Sequence, residues 1–424
     1  MRLPALAHRD FGNYQIGNFV SNVGNRMQFV AILWQVYEKT HSNAYVGALG
    51  LIRVVPLIVF GLFGGVIADH FDRRKVLLVT QLGMAVVAVG MGAITIYRVD
   101  SVWAIYGIVA AGATANAFNG PVRQAMVANL VPAKDFPNAA SINGITWRLS
   151  DLIGPVLAAP LLVWAHAPLF RGLAWVYVIN AVSFLAVMWA VLLLPPKPPT
   201  VTEKTRNLRD AIVAINEGFR FFRTADTVRN TMIVDFWATF FAGAEALLPG
   251  FADEVLHGGQ GVYAILASAT GAGALLASIS TALLPTMRRQ GLWVLRMVGL
   301  FGLFTILFGL SANIVVAYIF IAATGAADMV STVLRQTIRQ LSTPDHMRGR
   351  LGSIGQIFQV SGPQLGDAEA GYLAEAFRYL PAVAKHAVPA SIVVGGIGSI
   401  FVSAWWMRDS ALRRYDQHVE LEDE

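Results

Sequence analysis

The sequence contains no cysteine, and only 14% of its 424 residues are charged. Without cysteine, the chain cannot form disulfides, thiolate metal sites or cysteine nucleophiles. The scarcity of charge, together with 55% hydrophobic residues and a mean hydropathy of +0.55, excludes an ordinary soluble domain. A G-x-x-x-x-G-K-[ST] phosphate-binding loop is also missing, which disfavours an ATP-driven pump. We expect no enzyme, no cofactor and no metal site.

What the chain does have is a regular series of apolar stretches. Each is about 20 to 28 residues long, enough for a helix to cross roughly 30 Å of hydrocarbon. We count 12 such stretches and predict an all-α membrane protein. Six helices fall in an N-terminal bundle at residues 1–194 and six in a C-terminal bundle at 228–408. A cytoplasmic linker at 195–227 contains an amphipathic helix, and a cytoplasmic tail occupies 409–424.

The basic residues predict the orientation. Of the 32 Lys and Arg residues, 22 fall in the two tails and the even-to-odd connections, and five fall in the opposite loops. Basic residues stay on the cytoplasmic side of a membrane, so both termini are expected there. The net charge of +6 is therefore explained by topology, and no nucleic-acid partner is expected.

Polar side chains follow one face of the first helix, at spacings of three and four residues. They are Gln15, Asn18, Asn22 and Arg26. Arg26 falls near mid-membrane, where an unpaired charge costs at least about 2.5 kcal/mol. Arg26 must therefore face a water-filled cavity or have a partner. Two interpretations remain open, namely a structural arginine and one that acts on substrate or in coupling.

The loop after the second helix carries the motif Gly65-x-x-x-Asp69-x-x-x-Arg73-Arg74-Lys75. Small residues let two helices approach closely, an acid suits the positive end of a neighbouring helix, and basic residues remain at the headgroups. The motif resembles the loop between the second and third helices of the major facilitator superfamily of secondary transporters, although Asp72 stands where that family usually has glycine. The resemblance implies a cytoplasmic gate, to which we assign Gly65, Asp69, Arg73, Arg74, Arg123 and Arg335.

A second motif lies in the fifth helix, where Gly154-Pro155-x-x-Ala158-Ala159 is similar to the antiporter motif of the superfamily. Proline removes one helix hydrogen bond, and small residues let a neighbouring helix pack closely. Arg148 and Asp151 precede it on the same helix. A static salt bridge and a coupling pair are both open for these two residues.

The second half of the sequence repeats the first with a shift of 212 residues. Arg123-Gln124 falls on Arg335-Gln336, Pro132 on Pro344 and Gly154 on Gly366. Both halves start from the same side after six helices each, so the repeat is parallel, as in the two pseudo-symmetric bundles of a major facilitator fold.

The same shift shows where the halves differ. Asn116 and Asn119 fall on Asp328 and Ser331, so one polar stripe carries an acid only in the second half. An intramembrane carboxyl can carry a proton. The coupling candidates are Asp328, Glu245 and Asp235, and for each a fixed ion pair with Arg26 or Arg335 remains open. The cavity candidates are Asn18, Asn22, Arg26, Asn116, Asn119, Thr324 and Ser331.

Several short strings resemble one branch of the superfamily, which includes the enterobactin exporter and macrolide efflux proteins. They include Gly24-Asn25, Trp34-Gln35-Val36-Tyr37 and Pro121-x-Arg123-Gln124. The resemblance implies export of a siderophore- or drug-like molecule from the cytoplasm by alternating access, in exchange for protons. The expected partners are a small-molecule substrate, protons and membrane lipids, for a monomer in the bacterial cytoplasmic (inner) membrane. A lipid or lysolipid flippase of the same fold and a non-transporting membrane sensor remain as alternatives.

Overall fold

The computed structural model describes residues 4–70, 72–163, 172–194, 208–283, 288–408 and 410–416. Within helices, the side chains of 62–70, 121, 124, 125, 208–215, 282, 283, 345, 346, 348–350 and 353 lie outside this description. Throughout the described ranges the regular structure is helical, with no strand.

The long helices of the first half are α1 to α6. They span Arg9–Thr40, Asn43–His70, Arg73–Ile96, Val102–Leu130, Phe136–Val163 and Gly172–Leu192. A further helix, α7, spans Leu208–Thr224. The second half contains α8 to α13, at Asp226–Phe241, Gly259–Leu283, Gln290–Gly309, Ile314–Leu341, Asp345–Arg378 and Ala387–Arg408.

Nine helical segments in the described part of the chain are long and apolar enough to cross a membrane. Three other helices of sufficient length, α1, α4 and α12, are not among the nine, and of these α1 and α12 are the more polar. Large apolar residues are exposed on several of the nine segments, as with Val79, Val182 and Leu276. Such side chains suit contact with lipid. The chain is therefore a multi-pass membrane protein, while a total of 12 spans stays a prediction.

The helices cluster into two compact units. Unit 1 comprises residues 1–40 and 52–210, and unit 2 comprises 41–51 and 211–424. In unit 1, α1 packs on α5 and α6, and α3 packs on α4 and α6. In unit 2, α11 packs on α9 and α10, α13 packs on α10, and α8 packs on α12 and α13. Each unit has its own buried apolar clusters, built in unit 1 around Phe11 and Val191 and in unit 2 around Val294 and Met232.

The structure divides the seventh predicted span, which the sequence presents as one apolar stretch. The helix α8 ends at Phe241 and is followed by a 3-10 turn, Glu245–Leu247, and a π-helical turn, Phe251–Val255. Pro249 lies in the first turn of the next helical segment, Leu248–Gly250, where the missing N–H group of proline costs no helix hydrogen bond. The charged side chain of Glu245 therefore lies at an interruption of the span.

The linker helix α7 packs against unit 2 at its end. The Phe222 ring lies 5.4 Å from the Phe358 ring, in a buried cluster with Val228, Met232 and Leu351. Phe219, one turn earlier, is exposed. Packing on the protein is thus shown for the last turn of this amphipathic helix.

Candidate functional site

The most deeply buried charge in unit 2 is Arg335 on α11, whose side chain is 2% exposed. Its Nη2 lies 2.7 Å from Asp235 Oδ1 on α8 and 3.4 Å from Asp328 Oδ1, two turns earlier on α11. Nη1 donates to Ser331 Oγ at 2.7 Å, and Nη2 donates to Thr332 Oγ1 at 2.9 Å. A guanidinium buried without such partners would cost several kcal/mol, on the order of the penalty for an unpaired buried ion. The carboxylates are therefore part of what holds Arg335 in place.

The two carboxylates of this cluster differ in exposure. The side chain of Asp235 is 5% exposed and that of Asp328 is 33% exposed. Asp328 also accepts a hydrogen bond from Thr332 Oγ1 at 3.4 Å. One guanidinium thus faces two acids, of which the nearer is buried and the farther is reached by solvent.

The structure brings together four residues to which the sequence analysis gives different roles. They are the coupling candidates Asp235 and Asp328, the cavity candidate Ser331 and the gate candidate Arg335. Arg335 was assigned to the cytoplasmic gate, but it lies within hydrogen-bonding distance of the proposed coupling acids. Thr324 is buried one turn before Asp328 and donates to the Ile321 carbonyl at 2.6 Å. Glu245 lies apart in sequence on the turn that follows α8, where it is exposed.

In unit 1, Arg26 on α1 pairs with Asp151 on α5 through its Nε atom. Arg148 Nη1 lies 3.8 Å from the other oxygen of the same carboxylate. The Arg26 guanidinium also lies 5.7 Å from the Phe29 ring centroid and 5.6 Å from that of Trp147. The side chain of Arg26 remains 30% exposed. Here two guanidinium groups share one acid. Around Arg335 two acids face two guanidinium groups, because Arg339, one turn later on α11, also interacts electrostatically with Asp235.

Gly154 sets the distance between the two helices that carry this pair. A Cβ atom added at Gly154 would lie 2.5 Å from Arg26 Cβ and 3.1 Å from the Val23 carbonyl oxygen. Any side chain here would push α5 away from α1. The antiporter-like string Gly154-Pro155 therefore has a packing function in this chain, directly behind Arg26.

Arg123 on α4 lies in a cluster of neutral side chains. Its Nη1 donates to Asn22 Oδ1 at 2.7 Å, and Nη2 lies 3.4 Å from Ser21 Oγ and from Gln81 Oε1. Gln81 in turn donates to Asn119 Oδ1 at 2.8 Å. Arg123 and Arg335 occupy equivalent positions in the sequence repeat, so the two halves surround the same residue with amides in one case and carboxylates in the other.

The remaining cavity and gate candidates have separate environments. Asn18 is buried and donates to Asn143 Oδ1 at 3.3 Å, whereas Asn116 is exposed. Arg74 Nη2 donates to the Leu192 carbonyl at 2.6 Å, at the end of α6, and Arg73 is half-buried. The side chains of Gly65 and Asp69 lie outside the described residues. Within the described ranges, no group of three or more His, Asp and Glu side chains could hold a metal ion.

A buried network in unit 1 was not predicted. Gln35 Nε2 donates to Asp100 Oδ2 at 2.7 Å and to Thr95 Oγ1 at 3.0 Å, and Gln35 Oε1 accepts from Tyr177. Lys39 Nζ lies 3.0 Å from the same Asp100 oxygen. The signal was present, because Gln35 interrupts an apolar run just as Asn18 and Asn22 do.

Comparison with known proteins identifies the family of this chain. The model of the transmembrane secretion effector family, a group of major facilitator proteins, matches residues 2–417. The chain belongs to this family. The resemblance inferred from the Gly65–Lys75 motif is thereby confirmed, and the chain is a transporter and not an enzyme.

Two relatives extend the assignment of this transporter. The enterobactin exporter EntS of Escherichia coli O81 (strain ED1a) is 27% identical over 375 residues, covering 86% of this chain and 85% of the relative. The protein of the same name from Citrobacter koseri is 26% identical over 426 residues, covering 98% and 95%. Together with the nine apolar segments, these matches support a multi-pass inner-membrane protein.

A solved structure supports the fold alone. The crystal structure of a D-xylose–proton symporter aligns over 95% of this chain and 98% of its own, with a TM-score of 0.72 and 13% sequence identity. At that identity the likeness carries no information about substrate or coupling ion.

Proposed function

We propose that this transporter is a secondary exporter that moves a siderophore- or drug-like small molecule out of the cytoplasm by alternating access, in antiport with protons. Its family and its relatives support export. The observation that carries the proton step is the cluster of Asp235, Asp328 and Arg335, in which Arg335 pairs with one buried carboxylate and with one that solvent reaches.

The proton binds at Asp328. Arg339, one turn after Arg335, also interacts electrostatically with Asp235, so the two acids face two guanidinium groups. Asp328 is the acid of this group that water reaches, and a carboxyl that alternates between water and an ion pair can bind and release a proton. Asp235 is nearly buried and lies at 2.7 Å, so it remains the partner of Arg335. Asp328 is half-buried and its Oδ1 lies 3.4 Å from Arg335 Nη2. It can therefore exchange a proton with water at a smaller cost in Coulomb energy than Asp235 can.

The cargo binds in unit 1, at Arg26 and its neighbours. Two guanidinium groups, those of Arg26 and Arg148, face the single carboxylate of Asp151, which leaves positive charge for an anionic group on the cargo. The ring of Trp147 is exposed beside them and offers an aromatic surface. The remaining cavity candidates are Asn18, Asn22, Asn116 and Asn119 in unit 1, and separately Thr324 and Ser331 in unit 2.

The cytoplasmic gate includes the Gly65–Lys75 motif, with Asp69 and Arg74 as its latch. The hydrogen bond from Arg74 to the end of α6 shows that one member is already anchored within unit 1. In this proposal Asp69→Asn raises labelling of engineered cytoplasmic-side cysteines by a maleimide. Equal labelling of the variant and the parent protein removes Asp69 from the gate.

The test of the function is a proton-flux assay in proteoliposomes, with a panel of siderophores, macrolides and lysolipids. In an exporter of the proposed kind, protons cross the liposome membrane only when a water-soluble cargo crosses it in the opposite direction. Movement of lysolipid alone would instead assign the flippase activity, and no movement of any compound with intact folded protein would favour the sensor.

A further inference from the structure

A small polar cavity lies at the end of two membrane-crossing segments in unit 2. It has a volume of about 350 Å³ and is lined by Asp226, Arg229 and Asn230 from the start of α8, by Trp405 and Trp406 from the end of α13, and by Arg414. The first segment begins at Asp226 and the second ends at Arg408, so the cavity lies at the depth where apolar core gives way to headgroups. A cavity of this size can hold a small polar group.

The two arginines of the cavity are held by the protein fold. Arg229 Nη2 pairs with Asp226 at 2.6 Å and its Nη1 donates to the Arg223 carbonyl at 2.7 Å, which uses two of the five N–H donors of a guanidinium. Arg414 lies on the short segment after α13. That segment is fixed because Leu412 and Tyr415 are buried in a cluster with Val294 and Leu295 of α10.

Gly291 allows the segment that carries Leu412 and Tyr415 to pack closely against α10. A Cβ atom added there would lie 1.6 Å from the Leu412 carbonyl oxygen, and the Gly291 N–H donates to the Tyr415 carbonyl at 3.3 Å. Arg413 adds two hydrogen bonds, to the carbonyls of Met407 and Arg408 at 2.7 Å and 2.9 Å. The exposed side chain of Arg414 is thus presented beside α13 by an ordered segment.

The charges and rings of this cavity match one kind of ligand. Two guanidinium groups against one carboxylate give the lining a net positive charge, and guanidinium groups bind phosphate oxygens well. Trp405 is 56% exposed on the outer face of α13, and tryptophan prefers the region between headgroups and acyl chains. We propose that this cavity binds the phosphate headgroup of an anionic phospholipid, with Arg229 and Arg414 on the phosphate and Trp405 against the upper acyl chain.

The lipid belongs to the leaflet next to the arginine-rich end of α7 and the region where α13 and the short segment after it meet. These arginines are Arg220, Arg223, Arg408 and Arg413. By the positive-inside rule this is the cytoplasmic leaflet, whose anionic lipids attract basic residues near the surface. The proposal concerns a separate part of unit 2 from Asp328 and does not depend on the direction of transport.

The test is native mass spectrometry of the purified full-length protein, titrated with phosphatidylglycerol or with phosphatidylcholine of the same acyl chains. Wild-type protein is expected to bind phosphatidylglycerol at least fivefold more tightly. Arg414→Gln should lower that preference about fivefold, the effect of one basic residue at a membrane surface. Trp405→Leu should weaken both lipids. The matched control is Arg408→Gln, which removes the same charge from an exposed position at the same helix end but outside the cavity.

Three results would overturn the proposal. Equal losses for Arg414→Gln and Arg408→Gln would show attraction by general surface charge only. Equal binding of the two lipids by wild-type protein would remove selectivity for an anion. Displacement of phosphatidylglycerol by millimolar inorganic phosphate would make the ligand a free anion and not a lipid. Gel filtration and the thermal midpoint of each variant establish that it is folded, and Arg229→Gln provides a second variant if Arg414→Gln is not.

Discussion

At the scale of single residues, the difference between Asp328 and Asp235 makes the sharpest prediction. Asp328→Asn removes the solvent-accessible acid and leaves Arg335 paired with Asp235 at 2.7 Å. We expect proton-coupled transport to be abolished, while counterflow of labelled cargo at equal proton concentration persists. A pH-sensitive dye inside proteoliposomes measures the first and isotope exchange the second. Glu217→Gln, which removes an exposed carboxylate on α7, is the control, and proton flux that survives in Asp328→Asn would exclude Asp328 from coupling.

Asp235 should act mainly on stability. Its replacement by Asn leaves the buried Arg335 guanidinium with only the more distant carboxylate, and loss of one member of a buried pair costs about 3–5 kcal/mol. The double variant Asp235→Leu with Arg335→Met removes both charges and should cost less stability than Asp235→Leu and Arg335→Met summed. Thermal unfolding in detergent measures the double variant and the two single variants. Additive losses would show that the two side chains are not energetically coupled.

The sequence predicts part of this cluster. Asp328 and Ser331 fall on one polar stripe, and both contact Arg335 on the same helix. A pair between Asp235 and Arg335 is one of the alternatives, but these positions are 100 residues apart, so no local spacing favours Arg335 over Arg26. The same applies to Arg26 and Asp151, for which the sequence offered Arg148 as the nearer partner.

At the scale of elements, the contact between α1 and α5 depends on Gly154. In Gly154→Val the new side chain would overlap Arg26 Cβ and the Val23 carbonyl, so α5 must move and the Arg26–Asp151 pair must loosen. We expect a lower thermal midpoint and a transport rate reduced at least tenfold. Gly144→Val on the same helix is the matched control, because nothing lies within 4 Å of its added Cβ. Similar behaviour of the two variants would contradict a packing function for Gly154.

Elements also show what a hydropathy pattern leaves out. The alternation of apolar and polar stretches predicts a series of membrane-crossing helices, and nine segments in the described part of the chain are long and apolar enough to be such helices. The interruption after Phe241 is not apparent from hydropathy because residues 242–252 are apolar apart from Glu245. Only Gly243 and Pro249 indicate the break, and proline within a membrane helix is often tolerated without one.

At the scale of the whole molecule, the expected orientation can be tested directly, because the natural chain has no cysteine to remove first. Tyr97→Cys lies in the exposed connection between α3 and α4, and Thr224→Cys lies at the exposed end of α7. With both termini cytoplasmic, a membrane-impermeant maleimide added to intact cells should label Tyr97→Cys and not Thr224→Cys. Labelling in the opposite pattern would invert the topology. Both sites should react after the membrane is opened, which serves as the control.

The internal repeat predicts two related bundles but not the different surroundings of their two equivalent arginines. The acid nearest to Arg335 is Asp235 and the amide nearest to Arg123 is Asn22, and each comes from another helix, where the repeat has diverged. Unit 1 surrounds its arginine with amides and unit 2 surrounds its arginine with acids. A sequence comparison that aligns the two arginines therefore predicts equivalence where the chemistry differs.

The proposed antiport has an electrical consequence. Because Asp328 is the acid beside Arg335 that solvent reaches, the proposed cycle takes in one H⁺ per turnover, so export of an uncharged compound carries one elementary charge inward. Each such cycle gains about 2.3 kcal/mol from every 100 mV of membrane voltage, in addition to the pH gradient. A monoanionic compound would double the charge moved, and the cell's resting voltage alone would then suffice to drive a substantial concentration ratio across the bilayer.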